Sequence, residues 1–77
     1  MRFEIKSWVN GDILFEADCE SLKACVELAV SKKVPLDYAE LNDAELNGAV
    51  MNGVKLNGVK LNGAVMNGAK MNYAELN

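Results

Sequence analysis

A five-residue period runs through the second half of the chain and restricts its fold more than any other feature. Every fifth position there is leucine or methionine: Leu36, Leu41, Leu46, Met51, Leu56, Leu61, Met66, Met71 and Leu76. A small apolar residue stands two positions before each of them: Val34, Ala39, Ala44, Ala49, Val54, Val59, Ala64, Ala69 and Ala74. Because a fixed internal period reflects a repeating structural unit, it is interpreted before any single motif.

The period excludes both a regular helix and a straight strand. Five residues advance an α-helix by about 500°, so leucines at this spacing would scatter around the helix axis. In a straight strand the side chains alternate between two faces, so leucines five apart would point in opposite directions. Both difficulties disappear if the chain turns a corner once per repeat, at the Asn-Gly or Asn-Asp after each centre, since these residues tolerate φ > 0. Four right-angle corners close one coil, which therefore takes four repeats, or twenty residues.

This pattern resembles the pentapeptide repeat family, in which a small residue stands two positions before a central leucine or phenylalanine, as in Ala39–Leu41 and Ala44–Leu46. The resemblance covers residues 34–77. It implies a mainly β fold, a right-handed quadrilateral β-helix of about two coils. The sequence departs from the family in its methionine centres and in the asparagine that follows nearly every centre. Methionine fills apolar columns adaptably, so neither departure opposes the fold.

Arg2 to Asp18 alternates apolar and charged residues and predicts a β-hairpin. If cross-strand partners share a face, the expected pairs are Phe3–Ala17, Ile5–Phe15 and Ser7–Ile13. This register leaves Val9-Asn10-Gly11 as a three-residue loop with Gly11 in the left-handed conformation. A two-residue Asn10-Gly11 loop would instead place Ile5 opposite Glu16, which would bury a charge.

Cys19 to Lys33 has the spacing of an amphipathic helix, with an apolar stripe of Leu22, Cys25, Val26, Ala29 and Val30. Asp18 or Ser21 can cap its start, and Pro35 ends it shortly after Lys33. We expect the hairpin and helix (residues 1–33) to cover the N-terminal end of the repeats (residues 34–77), because repeat arrays need caps. Short phage and bacterial members of the family have a similar layout. The whole chain is expected to form one compact domain.

The other end of the repeats carries no comparable cap in the sequence, which stops within a repeat. We expect the last coil to present apolar edges and open backbone, which invite pairing. A two-fold homodimer through this coil is the leading hypothesis, as in several relatives, and a frayed last half-coil is the alternative. The interface would contain Leu61, Met66, Met71, Tyr73 and Leu76.

The sequence offers little for catalysis. It has no histidine, and its two cysteines, Cys19 and Cys25, are expected to be reduced packing residues without further zinc ligands. A coil filled by leucine and alanine leaves no cleft for a carboxylate pair. We therefore expect no enzymatic activity, no cofactor and no metal. The net charge of −3 argues against direct nucleic-acid binding, and the absence of an apolar run or signal peptide predicts a cytoplasmic protein of a bacterial or phage-infected cell, without membrane association.

Any function then belongs to the outward positions. Residues twenty apart are expected to stack in adjacent coils, placing Glu40 under Lys60, Glu45 under Val65, Val50 under Lys70 and Lys55 under Glu75. Asparagine ladders are expected in the pairs 42–62, 47–67, 52–72 and 57–77, with amides bonding along the axis. Both sets are interpreted as support for the register.

An acidic surface is the remaining candidate site. It comprises Asp37, Glu40, Asp43 and Glu45, with Glu16 and Asp18 nearby if the hairpin caps the first coil. Family members of this kind act as DNA mimics that inhibit or protect topoisomerases. The resemblance therefore implies a phage-encoded, non-enzymatic inhibitor of a DNA-binding host protein, anti-CRISPR-like or directed at a topoisomerase. A merely solvated acidic face, in a structural or oligomerisation module, is the alternative.

Three aromatic residues are further candidates for partner contact: Trp8, Tyr38 and Tyr73. For Trp8, packing against the cap is an equal alternative.

Overall fold

The computed structural model describes residues 1–76. Its regular elements are strand β1 (Arg2–Lys6), strand β2 (Ile13–Asp18) and helix α1 (Leu22–Ser31), in that order. The two strands pair antiparallel. Residues 34–76 follow as short β-bridges separated by turns, which makes the protein mainly β.

The hairpin confirms the predicted register over most of its length and departs from it near the loop. Phe3 lies opposite Ala17 and Ile5 opposite Phe15, as expected. The predicted Ser7–Ile13 pair is wrong, because a bulge at Leu14 sets Ile13 opposite Lys6. The loop is accordingly longer than three residues, although Gly11 does adopt the left-handed conformation at φ +77°.

Ser7 keeps main-chain hydrogen bonds with Asp12 and Gly11 in the hairpin loop and also pairs with the repeats. It forms an antiparallel bridge with Ala39, at the start of the repeats. The Trp8 N–H donates to the Tyr38 carbonyl at 3.0 Å, and the Glu40 N–H donates to the Lys6 carbonyl at 2.8 Å. The end of the hairpin therefore extends the backbone pairing of the first repeat.

Helix α1 is shorter than the predicted span of Cys19 to Lys33. Ser21 is the N-cap, and its hydroxyl accepts a hydrogen bond from the Ala24 N–H at 3.1 Å. At the other end Lys33 adopts φ +59°, and the N–H groups of Lys33 and Val34 return to the carbonyls of Val30 and Ala29. This pattern is a Schellman motif, which turns the chain out of the helix before Pro35 is reached. The expected inward stripe is present, with Cys25, Val26 and Ala29 buried.

The repeats confirm the predicted twenty-residue neighbours. Parallel bridges join Glu40 to Lys60, Glu45 to Val65, Val50 to Lys70 and Lys55 to Glu75. We call residues 36–55 the first layer and residues 56–75 the second layer, since every one of these bridges joins the two. Main-chain hydrogen bonds between the layers run both ways: Leu41 N–H donates to Lys60 O, and Lys60 N–H donates to Ala39 O, each at 2.9 Å.

A corner follows each centre from Leu36 to Met71, as the spacing predicts. Positive φ angles recur at Tyr38, Asp43, Gly48, Gly53, Gly58, Gly63, Gly68 and Tyr73. At each corner the N–H of the next small residue donates back to the carbonyl of the centre, for example Ala44 to Leu41 at 3.2 Å. This bond, with a positive φ at the third turn residue, is the pattern of a type II β-turn.

Asparagine ladders form in a different way from that expected. The predicted stacks 42–62, 47–67 and 52–72 are present, but the donor is the main-chain N–H of the upper asparagine and the acceptor is the side-chain oxygen of the lower one, at 2.8–3.0 Å. The Asn57 N–H donates to Asp37 Oδ1 at 2.8 Å, so an aspartate takes the place of the lower asparagine in this ladder. Asn77, the predicted partner of Asn57, lies outside the described residues.

One hydrophobic cluster joins the three parts of the chain. It contains Ile5 of the hairpin, Cys25, Val26 and Ala29 of the helix, and the centres of the first layer. Leu41 is 2% exposed and Leu46 and Met51 are fully buried, whereas the second-layer centres Leu61, Met66 and Met71 are half-buried. The hairpin and helix therefore cover one side of the first layer, and the second layer covers the other.

Candidate functional site

Three carboxylates of the predicted acidic surface lie exposed on the first layer. Glu40 and Glu45 occupy the outward positions of consecutive repeats, and Asp43 stands at the corner between them. The Glu40 carboxylate accepts a hydrogen bond from the Asn42 N–H at 3.1 Å. Within residues 1–76 none of the three has an ion-pair partner. We call Glu40, Asp43 and Glu45 the acidic edge.

Asp37 was predicted to belong to the same surface, but its carboxylate already has a structural role. It is half-buried, and its Oδ1 atom accepts the Asn57 N–H at 2.8 Å. The aspartate therefore replaces the lower asparagine of the ladder. This use of the carboxylate leaves it less accessible to a partner than the acidic edge.

Glu16 and Asp18 lie on strand β2, where neighbouring cations neutralise them. Arg2 forms an ion pair with Glu16, and the N-terminal ammonium pairs with Asp18 at 2.6 Å. The hydrogen bond from Arg2 to Glu16 and the attraction between their charges raise the pKa of the Arg2 guanidinium. The hairpin contacts Ala39 at Ser7. Asp18 is opposite Arg2, five positions or about 16 Å along the hairpin from Ser7, and Glu16 is opposite Glu4, three positions or about 10 Å from it. The structure does not bring Glu16 and Asp18 together with the acidic edge at that contact.

No pattern in the sequence indicates the side-chain contacts of Lys60. Its backbone pairs with Glu40 as expected, but no ion pair joins their side chains in the described structure. Instead, Lys60 Nζ lies 4.4 Å from the centre of the Trp8 ring, in a cation–π contact. Lys60 therefore does not neutralise the acidic edge.

Trp8, the residue that Lys60 contacts, also forms an aromatic pair with Tyr38. Their ring centres are 6.1 Å apart, in an edge-to-face arrangement at 68°. The indole N–H donates to the Gly58 carbonyl at 2.6 Å. These contacts support the packing interpretation of Trp8, although Trp8 and Tyr38 remain 41% and 48% exposed. Tyr73 is separate from them, at a second-layer corner, and is 94% exposed.

The residues predicted for a dimer interface line the open side of the second layer. Leu61, Met66 and Met71 are half-buried there, and Leu76 is 53% exposed. The N–H groups of the corresponding first-layer centres, such as Leu41 and Leu46, donate to the second layer. Those of Leu61, Met66 and Met71 have no recorded acceptor within residues 1–76. This side therefore combines apolar surface with unpaired backbone donors.

Two further properties of the described residues bear on function. Within residues 1–76 no group of three or more His, Cys, Asp or Glu side chains is arranged to hold a metal ion. No helix in this part of the chain is long and apolar enough to cross a membrane.

Comparison with known proteins gives one positive result. The family model described as pentapeptide repeats (8 copies) matches residues 51–77. Neither the search of curated proteins nor the search of solved structures returned a match. The match shows that residues 51–77 contain pentapeptide repeats, which imply a β-helix, and the same five-residue period runs back through the sequence to Val34.

Proposed function

We propose that this protein is a non-enzymatic inhibitor that binds a protein partner through the acidic edge, Glu40, Asp43 and Glu45. The partner is a cytoplasmic, nucleic-acid-handling host protein, and the inhibitor acts on it as a DNA mimic of phage origin. The observation that carries the proposal is that three exposed carboxylates without ion-pair partners stand on one short stretch of rigid backbone.

Rigidity supports this reading because it lowers the entropy lost on binding. The backbone that carries the acidic edge is bonded to the second layer at Leu41, Asp43 and Leu46, at 2.7–2.9 Å. The centres Leu41 and Leu46 are buried beneath it. A site that normally contacts the phosphates of DNA through Lys and Arg would meet carboxylates held at fixed spacing.

The test is a pull-down from bacterial lysate after nuclease treatment, with duplex DNA used to elute the bound proteins. A DNA-binding protein that is captured and then displaced by DNA is the expected result. The variant Glu40→Lys, Asp43→Asn, Glu45→Lys should lose this protein. Asparagine is chosen at position 43 because it tolerates the positive φ found there.

A matched control places the same change of charge away from the acidic edge: Glu4→Lys, Asp12→Asn, Glu20→Lys. All three residues are exposed. The control should retain the captured protein. Equal loss in both variants would show that only net charge matters, and retention in both would contradict the proposal.

A structural or oligomerisation module is the second candidate function. The observation that favours it is the open side of the second layer, with its half-buried centres and unpaired N–H groups. We infer a homodimer that stacks two such sides. Sedimentation at micromolar concentration should then give a dimer, and Tyr73→Ser with Leu76→Ser should convert it to a monomer. A monomeric wild-type protein would contradict the dimer, while the acidic-edge variant should leave it intact.

We infer a right-handed quadrilateral β-helix of about two coils over residues 34–77, capped by residues 1–33 in one compact domain. The twenty-residue spacing of the bridges and the corner in every repeat support four sides per coil. A crystal structure would check the handedness and the number of coils.

A further inference from the structure

A cavity of about 400 Å³ lies between the end of helix α1 and the first layer. Its apolar wall is formed by Val30 and Val34 on the helix side and by Val54 on the layer side. Lys33, Lys55 and Asn52 also line it, so two of the lining residues are cationic. The volume falls at the small end of the range for ligand pockets, so only a small ligand would fit.

The repeat pattern of main-chain hydrogen bonds does not continue from the first layer into the segment that faces the cavity. In the second layer, the N–H groups of Lys60, Val65, Lys70 and Glu75 donate to the carbonyls of Ala39, Ala44, Ala49 and Val54, at 2.8–2.9 Å. If the same spacing between donor and acceptor continued into the first layer, the Lys55 N–H would donate to the Val34 carbonyl. Val34, however, belongs to the helix end, where its N–H donates to Ala29. The Lys55 N–H has no recorded acceptor within residues 1–76.

A second main-chain N–H group without a recorded acceptor in the described structure belongs to Asn52, close in sequence to that of Lys55. In the asparagine ladders, an upper N–H donates to the side-chain oxygen of the residue twenty positions earlier, as Asn72 does to Asn52. Twenty positions before Asn52 stands Lys32, whose side chain has no acceptor atom. In the described part of the chain the Asn52 N–H likewise has no recorded partner. Two N–H donors on this edge of the first layer thus belong to residues that line the cavity.

On this edge of the first layer, one N–H donates to a main-chain carbonyl, that of Glu40 to Lys6, and two others donate to carboxylates. The Val50 N–H donates to the Glu27 carboxylate at 2.9 Å, and the Asn42 N–H donates to the Glu40 carboxylate at 3.1 Å. Three carbonyls at the helix end are already occupied: those of Leu28, Ala29 and Val30 accept the N–H groups of Lys32, Val34 and Lys33. The cavity therefore combines donors, positive charge and an apolar wall.

We propose that this cavity binds a small aliphatic carboxylate. The carboxylate accepts hydrogen bonds from the N–H groups of Asn52 and Lys55 and is attracted by the ammonium groups of Lys33 and Lys55. The aliphatic part packs against Val30, Val34 and Val54. This site is separate from the acidic edge and does not depend on the function proposed for it.

The first test is a titration of the ¹⁵N-labelled full chain with 4-methylpentanoate, followed by amide shifts in NMR spectra. Saturable shifts are expected at Asn52, Gly53 and Lys55. The neutral amide 4-methylpentanamide and inorganic phosphate serve as comparison ligands, each lacking one half of the proposed chemistry. Both should bind at least about tenfold more weakly, a difference of roughly 1.4 kcal/mol. Equal binding of either, or no saturable shift with the acid, would overturn the proposal.

The second test uses lysine variants that conserve the fold. Lys55→Gln should weaken binding of 4-methylpentanoate by about three- to tenfold, since it removes one ammonium group beside the carboxylate. Lys70→Gln is the matched control, because Lys70 occupies the equivalent outward position in another repeat and does not line the cavity. Equal weakening by both variants would mean that net charge alone decides, which would also overturn the proposal.

Discussion

At the scale of single residues, the corners of the two layers obey a steric rule. Where a first-layer corner carries a side chain, the corner twenty residues later is a glycine that this side chain crowds: Tyr38 crowds Gly58, and Asp43 crowds Gly63. A Cβ atom built on Gly58 would lie 2.6 Å from two atoms of the Tyr38 ring. Glycine at position 58 is therefore required both by its φ of +70° and by the ring.

The variants Gly58→Ala and Gly68→Ala separate these two causes. Both residues have a positive φ, at +70° and +73°, but nothing lies within 4 Å of a Cβ at Gly68. Gly68→Ala should therefore lower the free energy of unfolding by only about 1 kcal/mol, the cost of the left-handed conformation. Gly58→Ala should cost about 2–3 kcal/mol, because the Tyr38 ring must also move. Urea unfolding followed by circular dichroism measures both.

The double variant Tyr38→Asn, Gly58→Ala provides the control for the ring. Asparagine tolerates the left-handed conformation and removes the aromatic clash. If the ring is the cause, alanine at position 58 should cost no more in this background than at position 68. An unchanged cost would contradict the steric rule.

Cys25 links stability to pH through its thiol. Burial in the core raises the pKa of this thiol, and the neighbouring Cys19 acts in the same direction. The unfolded chain then loses the proton first as the pH rises. The associated stability is complete below the ordinary thiol pKa of about 8.5 and is lost as the pH rises from there towards the folded value.

The expected result is a lower free energy of unfolding at about pH 9.5 than at pH 7, because the unfolded thiol is then ionised. Urea unfolding at the two pH values measures the difference. Cys25→Ala should reduce the decline, whereas Cys19→Ala should retain most of it. A decline of the same size in Cys25→Ala would assign the effect to other groups.

At the scale of the elements, the hairpin and the helix satisfy backbone donors that the first layer leaves open. Strand β1 supplies the Lys6 carbonyl to the Glu40 N–H, and helix α1 supplies the Glu27 carboxylate to the Val50 N–H. An exposed row of unpaired N–H groups would invite pairing with another chain. The two elements therefore protect this edge as well as burying the centres beneath it.

Replacing Glu27 with methionine tests the helix contribution. Methionine keeps the length and the helix propensity of the side chain but lacks the carboxylate. The loss of the hydrogen bond to Val50 should lower the free energy of unfolding by about 1 kcal/mol. Glu20→Met, before the helix begins, is the control and should change stability by less than about 0.5 kcal/mol. Equal effects would show that the contact with Val50 contributes nothing.

At the scale of the whole molecule, the shared hydrophobic cluster predicts a single unfolding transition. Ile5, Val26 and Leu46 belong to one cluster although they come from the hairpin, the helix and the repeats. Removing any of the three parts would expose the others. Trp8 fluorescence, which reports on the contact between hairpin and repeats, should therefore change at the same urea concentration as the circular dichroism signal. Separate midpoints would show that the repeats unfold independently of the cap.

The sequence by itself determined the repeating part of this protein. The neighbours twenty residues apart, the corner after each centre and the inward Leu and Met all follow from one local rule applied in every repeat. The inner pairs of the hairpin and the buried stripe of the helix followed from periodicity in the same way. Glu40, Asp43 and Glu45 could be placed on the surface because they fall between inward positions.

Only the tertiary structure decided the contacts that lie outside any period. It set Ser7 against Ala39, Lys60 over Trp8 and Glu27 on Val50, and it left the cavity at Lys55 where the helix end interrupts the repeat. It also removed Asp37 from the free carboxylates, by giving it a place in a ladder. These contacts depend on how the ends of two non-repeating elements meet the first layer. A period fixes the backbone of each repeat, but it contains no information about the residues that meet it from outside.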